Sequence, residues 1–104
     1  MEHAVDVADN PEARRYEIRV DGKQAGFADY RLRDDRMVFT HTEIDEEYEG
    51  QGLGGTLIRV ALDAARDTGL RVVPLCPFVA AYIEKHPEYA DLVAEAPPES
   101  EPAR

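Results

Sequence analysis

Three side chains carry chemistry that the chain's apolar residues cannot supply. Cys76, the one cysteine, directly precedes Pro77, a residue suited to the first position of a helix. A helix beginning there puts the Cys76 sulfur at the N-cap, where the dipole lowers thiol pKa and favours thiolate. Such a group can accept an acyl group as a nucleophile or act as an acid toward a departing thiol. His41 and Glu43 alternate along a strand pattern, so both project from one face, about 7 Å apart at Cα. Either can remove a proton from an amine, directly or through water, and His41 has the better intrinsic pKa for neutral conditions. Each has a bland alternative: a small buried hydrophobe at a strand end for Cys76, a half-buried strand residue for His41, a solvated face for Glu43.

The fourth element is a loop, Glu49-Gly50-Gln51-Gly52-Leu53-Gly54-Gly55. Its glycines leave few Cβ atoms, so backbone N–H groups can approach a bulky anion closely. From Leu53 onward the pattern turns helical, with Leu53, Leu57, Ala61 and Ala64 or Ala65 on one stripe. A glycine loop feeding a helix N-terminus aims unpaired N–H donors and the positive dipole end at one spot, which suits a phosphate or pyrophosphate. A tight strand-to-helix turn with no ligand is the competing explanation.

The chain must position these groups with 104 residues, enough for one domain with a real core. An apolar share of 43% and a charged share of 33% fit an ordinary globular protein. The net charge of −10 argues against nucleic acid or anionic membrane as partner, and is compatible with a cationic acceptor such as an amine. It also obliges any bound polyphosphate to rely on local donors. No apolar run approaches the roughly 20 residues that span a bilayer. Met1-Glu2-His3-Ala4 does not read as a signal sequence, so a cytoplasmic location is expected. A lone cysteine excludes an internal disulfide and a cysteine-rich zinc site, and no metal is expected.

In order, residues 3–8 alternate as a first strand closed by Asp9-Asn10-Pro11. Residues 13–20 form a second, with Tyr16, Ile18 and Val20 on one face, and Asp21-Gly22 signals a hairpin. A third strand runs from Lys23 to Arg33 and ends at Asp34-Asp35. Residues 36–45 make the fourth, with Val38, Thr40, Thr42 and Ile44 expected on one face and Met37, Phe39, His41 and Glu43 on the other. A helix over 51–68 follows, with Gly69 as its left-handed C′ residue and Arg59–Asp63 as a weak i,i+4 pair. Residues 70–73 read as a fifth strand, parallel to the fourth by right-handed crossover. A second helix starts at Pro77, its period set by Phe78, Ala81, Tyr82 and Lys85, and Pro87 interrupts it. The fold class is therefore α+β: a mixed sheet in which an antiparallel meander is followed by a βαβ unit with strands four and five parallel. Residues 1–95 form the domain, and the acidic, proline-rich 96–104 is expected to be disordered.

Together these elements resemble the GCN5-related N-acetyltransferase family. Its signature is Gln or Arg, two variable residues, Gly, one variable residue, then Gly or Ala. Glu49-Gly50-Gln51-Gly52-Leu53-Gly54 matches both small positions and carries a glutamate at the first. A closer resemblance, to the family's minimal short-chain members, rests on His41-Thr42-Glu43, the glycine turn, Val73-Pro74-Leu75-Cys76-Pro77-Phe78-Val79 and His86-Pro87-Glu88-Tyr89. It covers about residues 10 to 93. The resemblance implies acetyl-coenzyme A as cofactor, held at Gly50, Gln51, Gly52, Leu53, Gly54 and Gly55. It further implies splayed strands four and five admitting the pantetheine arm along strand four, with Thr42 and Ile44 beside the acetyl thioester. Glu43 matches a position where many family members carry a glutamate. Tyr82 falls near a helix tyrosine that protonates coenzyme A in many relatives, although Ile83 competes for that position and core packing explains Tyr82 more simply. Glu49, beside the phosphates, is repulsive unless it turns away or pairs with a cation.

The expected activity is transfer of acetyl to a primary amine on a protein lysine, a peptide or a small polyamine, because little chain remains to enclose a metabolite. Two rivals stand beside it: a non-catalytic acyl-coenzyme A binding or sensing module, and an interaction domain with no cofactor. Exposed sheet edges allow a monomer or a weak homodimer.

Overall fold

The computed structural model describes residues 4–94; His3 and the acidic stretch 96–104 lie outside the described residues. Five strands, β1 (Val5–Asn10), β2 (Arg15–Val20), β3 (Lys23–Arg33), β4 (Arg36–Ile44) and β5 (Arg71–Pro74), form one sheet in sequence order. Helix α1 (Leu53–Asp67) joins β4 to β5, and α2 (Pro77–Lys85) follows β5. The first four strands pair antiparallel and β4 pairs β5 parallel, as the alternation and the crossover argument require. The β2–β3 turn places Asp21 at φ 52° and Gly22 at φ 83°. That is the left-handed pair a two-residue hairpin needs. β1 starts later than expected and runs on to Asn10, because Asp9 and Asn10 pair with Tyr16 and Arg15 before Pro11 ends the ladder.

A bulge corrects the face assignment in β4. Asp29 pairs with His41 and Tyr30 with Phe39, which leaves Thr40 as an extra residue. One inserted residue inverts the alternation beyond it. Met37 and Phe39 lie in the core, and past Thr40 it is Ile44 that packs against that core while His41 and Glu43 are exposed. The expected common face of Met37, Phe39, His41 and Glu43 is thus split in two.

One side of the sheet carries Ile18, Ala28, Phe39 and Val72 against the buried side chains of α1, which are Leu53, Leu57, Ile58, Ala61, Leu62 and Ala65. Ala65 rather than Ala64 completes the stripe, and Ile58 and Leu62 widen it. α1 ends as its glycine predicts: Gly69 at φ 78° lets the Gly69 N–H donate to Arg66 O and the Leu70 N–H to Ala65 O. α2 turns a different face inward from the one its sequence suggested. Val79 and Ile83 are buried while Phe78 is 43% exposed, because β5 and α1 meet the helix one residue further round than the Phe78 period assumed. Arg59 and Asp63 form no ion pair; Asp63 instead accepts a 2.7 Å hydrogen bond from the Tyr89 hydroxyl.

That bond ties the segment Pro87–Leu92 to α1, and Arg66 adds a bidentate clamp on Asp91 at 2.9 and 3.0 Å. Burial, then the Asp63 hydrogen bond and charge, push the Tyr89 phenol up to about 12 from its ordinary 10.0. Folding therefore favours the neutral phenol. Its contribution is whole below pH 10 and is lost as pH rises through about 12. Tyr89→Phe is expected to lower stability by about 1 kcal/mol at neutral pH and to flatten the loss of stability over that alkaline window, both read from denaturant midpoints.

Candidate active site

The loop after β4 contains a short 3-10 turn, Glu46–Tyr48, before the glycines. Gly50 and Gly52 sit at φ 83° and 77°, where residues with a Cβ are strained. Helix α1 begins at Leu53, two residues later than expected, with left-handed Gly52 as its N-cap. The first intrahelical bond runs from the Thr56 N–H to Gly52 O at 3.2 Å, so the amides of Gly52, Leu53, Gly54 and Gly55 have no helical acceptor. Gly54 serves packing: a Cβ there would meet the Phe78 ring at 2.5 Å. The α1–α2 approach at this end therefore depends on its having no side chain.

These amides open into a cavity of about 620 Å³. Thr42, Glu43 and Ile44 from β4 form one wall, the glycine turn and Leu53 another, and Tyr48 and Phe78 complete it. Of the residues singled out from sequence, Thr42, Ile44, Gly50, Gly52, Leu53, Gly54 and Gly55 line the cavity, while Gln51 is exposed outside it. Tyr48 and Phe78 were missed. Phe78 reads from sequence as part of the inward period of α2, which in the structure belongs to Val79 and Ile83. β4 and β5 part company here, for their ladder stops at Phe39 and Pro74. The edge of β4 that faces β5 thus has no strand partner over Thr40–Ile44.

Cys76 lies at the N-cap of α2, 3% exposed, with its N–H donating to Phe39 O at 3.0 Å. Its Sγ–H donates to Thr42 Oγ1 at 3.4 Å. His41 and Glu43 are exposed, with His41 Nε2 2.8 Å from Glu43 Oε2; Glu43 lines the cavity and His41 stands just outside its lining. The structure brings His41 and Glu43 together and keeps them apart from Cys76. A line of contacts holds the pair in place. Glu17, buried under Arg15 and Arg19, accepts a 3.0 Å hydrogen bond from Arg15 Nε. The Arg15 guanidinium lies 4.6 Å over the Phe27 ring, and Phe27 touches the His41 ring at 6.1 Å. Tyr82 is half-buried against the core and stacked 4.0 Å from His86; burial, the largest cause, raises its phenol pKa.

The amides and the glycine turn fit a pyrophosphate; the charges of the wall oppose it. Glu43 and Glu49 line the cavity and no Lys or Arg does. Glu49→Gln is expected to tighten binding of coenzyme A about fivefold, the effect of removing a like-charge contact on the order of 1 kcal/mol. Calorimetric titration checks this, and unchanged affinity would place the Glu49 carboxylate away from the phosphates.

Among the described residues no helix is long and apolar enough to cross a membrane. No curated protein matches the chain. A GCN5-like protein from Staphylococcus aureus, solved by NMR in solution, superposes with a TM-score of 0.67 at 21% identity, covering 94% of this chain and 96% of its own. At that identity the likeness is one of fold. The family model for GCN5-related N-acetyl-transferase matches residues 15–92, a span that begins with β2 and takes in the cavity, both helices and Tyr89. By that match the chain belongs to the GCN5-related N-acetyltransferase family.

Proposed function

We propose that this protein transfers acetyl from acetyl-coenzyme A to a primary amine, and that it groups with the minimal short-chain members of its family. One observation carries the reading: the free amides at the start of α1 and the unpaired edge of β4 open into the same cavity. The amides of Gly52 to Gly55 would hold the pyrophosphate, and the β4 edge at Thr42 to Ile44 would hold the pantetheine arm. Acetyl-coenzyme A held there would supply an acetyl thioester open to attack by a neutral amine. The amide C–N bond would form as the thioester C–S bond breaks, and coenzyme A would leave as the thiol with the second proton lost by the amine.

His41 supplies that neutral amine. With Nε2–H donating to Glu43 Oε2, the Nδ1 lone pair is left to take a proton from the acceptor's ammonium. Glu43 fixes the tautomer and orients the ring. Direct transfer is the favoured route, since the Cys76 sulfur is buried and its proton is directed at Thr42. The acceptor we propose is an exposed amine on a protein lysine, peptide or polyamine, with the protein acting in the cytoplasm as a monomer or weak homodimer. The test is calorimetric titration of the protein with acetyl-coenzyme A, for which saturable binding is expected. No heat at millimolar ligand would sink the proposal.

The buried state of Cys76 also suits a second reading, a non-catalytic acyl-coenzyme A binding module. Replacing both Cys76 and His41 with Ala leaves binding intact under either reading, and removes turnover only if the protein is an enzyme.

A further inference from the structure

At the far end of β3, away from the glycine turn, a second cavity of about 400 Å³ is lined by Pro11, Arg14, Tyr30, Arg31, Leu32 and Arg33. Its charge is unexpected in a chain with 22 acidic and 12 basic residues. Elsewhere among the described residues most cations are occupied: Arg15 and Arg19 meet Glu17, Lys23 meets Glu47, Arg36 meets Asp35 and Arg66 meets Asp91, while Arg59 and Lys85 stand singly on the helices. Arg71 donates to the carbonyls of Leu92 and Val93. Arg14, Arg31 and Arg33 have no carboxylate partner among the described residues, although Glu12, Asp34 and Asp35 are near in sequence. The guanidinium of Arg31 reaches only its neighbour's carbonyl, Tyr30 O, at 3.5 Å. The Tyr30 hydroxyl is already committed to Asp9 at 2.7 Å.

The three arginines are exposed, and two features of their setting favour an anion. Arg14 holds φ 59°, a left-handed conformation that glycine adopts freely and arginine does not. Strain of this kind persists where the surroundings impose it, and it often accompanies a binding role. Arg33 stands directly across the β3–β4 ladder from Arg36, and like charges in that position repel. Only Arg36 has a counter-charge, Asp35 at 3.4 Å. An anion in the cavity relieves both the uncompensated charge and the cross-strand repulsion.

The geometry points to a binding site for a small phosphate-bearing molecule, separate from the acetyl-transfer cavity. Guanidinium groups match phosphate oxygens in pairs, and the cavity exceeds a bare phosphate, with Leu32 and Pro11 supplying apolar surface for the rest of the molecule. The proposal does not depend on the acetyltransferase reading. Its test is an amide NMR titration of the isotope-labelled full chain with inorganic phosphate at constant ionic strength, with chloride as the matched control. Saturable shifts are expected at residues 12–14 and 30–33, with affinity falling about tenfold in Arg14→Gly and again in Arg31→Gln. Arg14→Gly suits the backbone conformation at that position, so it removes the cation while keeping the turn. Equal shifts in chloride, shifts confined to residues 50–55, or affinity unchanged in both variants would overturn the assignment.

Discussion

Gly52→Asp is expected to weaken acetyl-coenzyme A binding about a thousandfold while the protein stays folded. The two halves of that expectation have separate causes. Gly52 holds φ 77°, yet a Cβ added there meets no atom within 4 Å, so the variant suffers backbone strain without a clash. Strain of that kind costs about 1 kcal/mol, and aspartate is among the residues that tolerate the left-handed region best. The loss of affinity comes from charge. A carboxylate about 4 Å from a phosphate near a protein surface costs ~4 kcal/mol, close to three decades in Kd. Gly52→Asn is the control, since it has the same backbone cost and no charge. Calorimetry should show the asparagine variant binding within about tenfold of wild type and the aspartate variant not binding measurably. Equal affinities would mean that the amides at the start of α1 do not face the pyrophosphate.

The second large effect concerns turnover. His41→Gln is expected to reduce kcat between about a hundredfold and ten-thousandfold, the usual range for loss of a positioned base, with little change in acetyl-coenzyme A affinity. Glu43→Gln separates orientation from proton transfer. Its amide oxygen can still accept from Nε2–H, so it should cost only about tenfold in kcat. A variant at His41 with unaltered kcat would exclude the imidazole as base.

Much of this was legible because it is local. β3 has the bounds read from its alternation, Asp21-Gly22 makes the expected hairpin, and Gly69 closes α1. The glycine turn announced its own free amides. What escaped the sequence depends on partners far along the chain. The Thr40 bulge exists only in the register between β3 and β4, and no property of Phe39-Thr40-His41 marks it, yet it decides which side chains reach the outer face. The inward face of α2 is likewise set by where β5 and α1 lie, so Phe78 read as core and proved to be a wall of the cavity. Tyr48 was hidden in a short 3-10 turn among acidic residues.

The sheet's pairing also divides the molecule by how it must assemble. β1 to β4 join neighbours in sequence through short turns, whereas the Arg36–Arg71 pairing waits until α1 has crossed the sheet. Contacts that close long loops bear their entropy before any reward arrives. β5 is therefore the strand whose docking completes the fold, and the cleft between it and β4 lies along the last seam to close. A molecule bound in the cavity touches β4 and, through Phe78, the helix that follows β5, and so braces that seam.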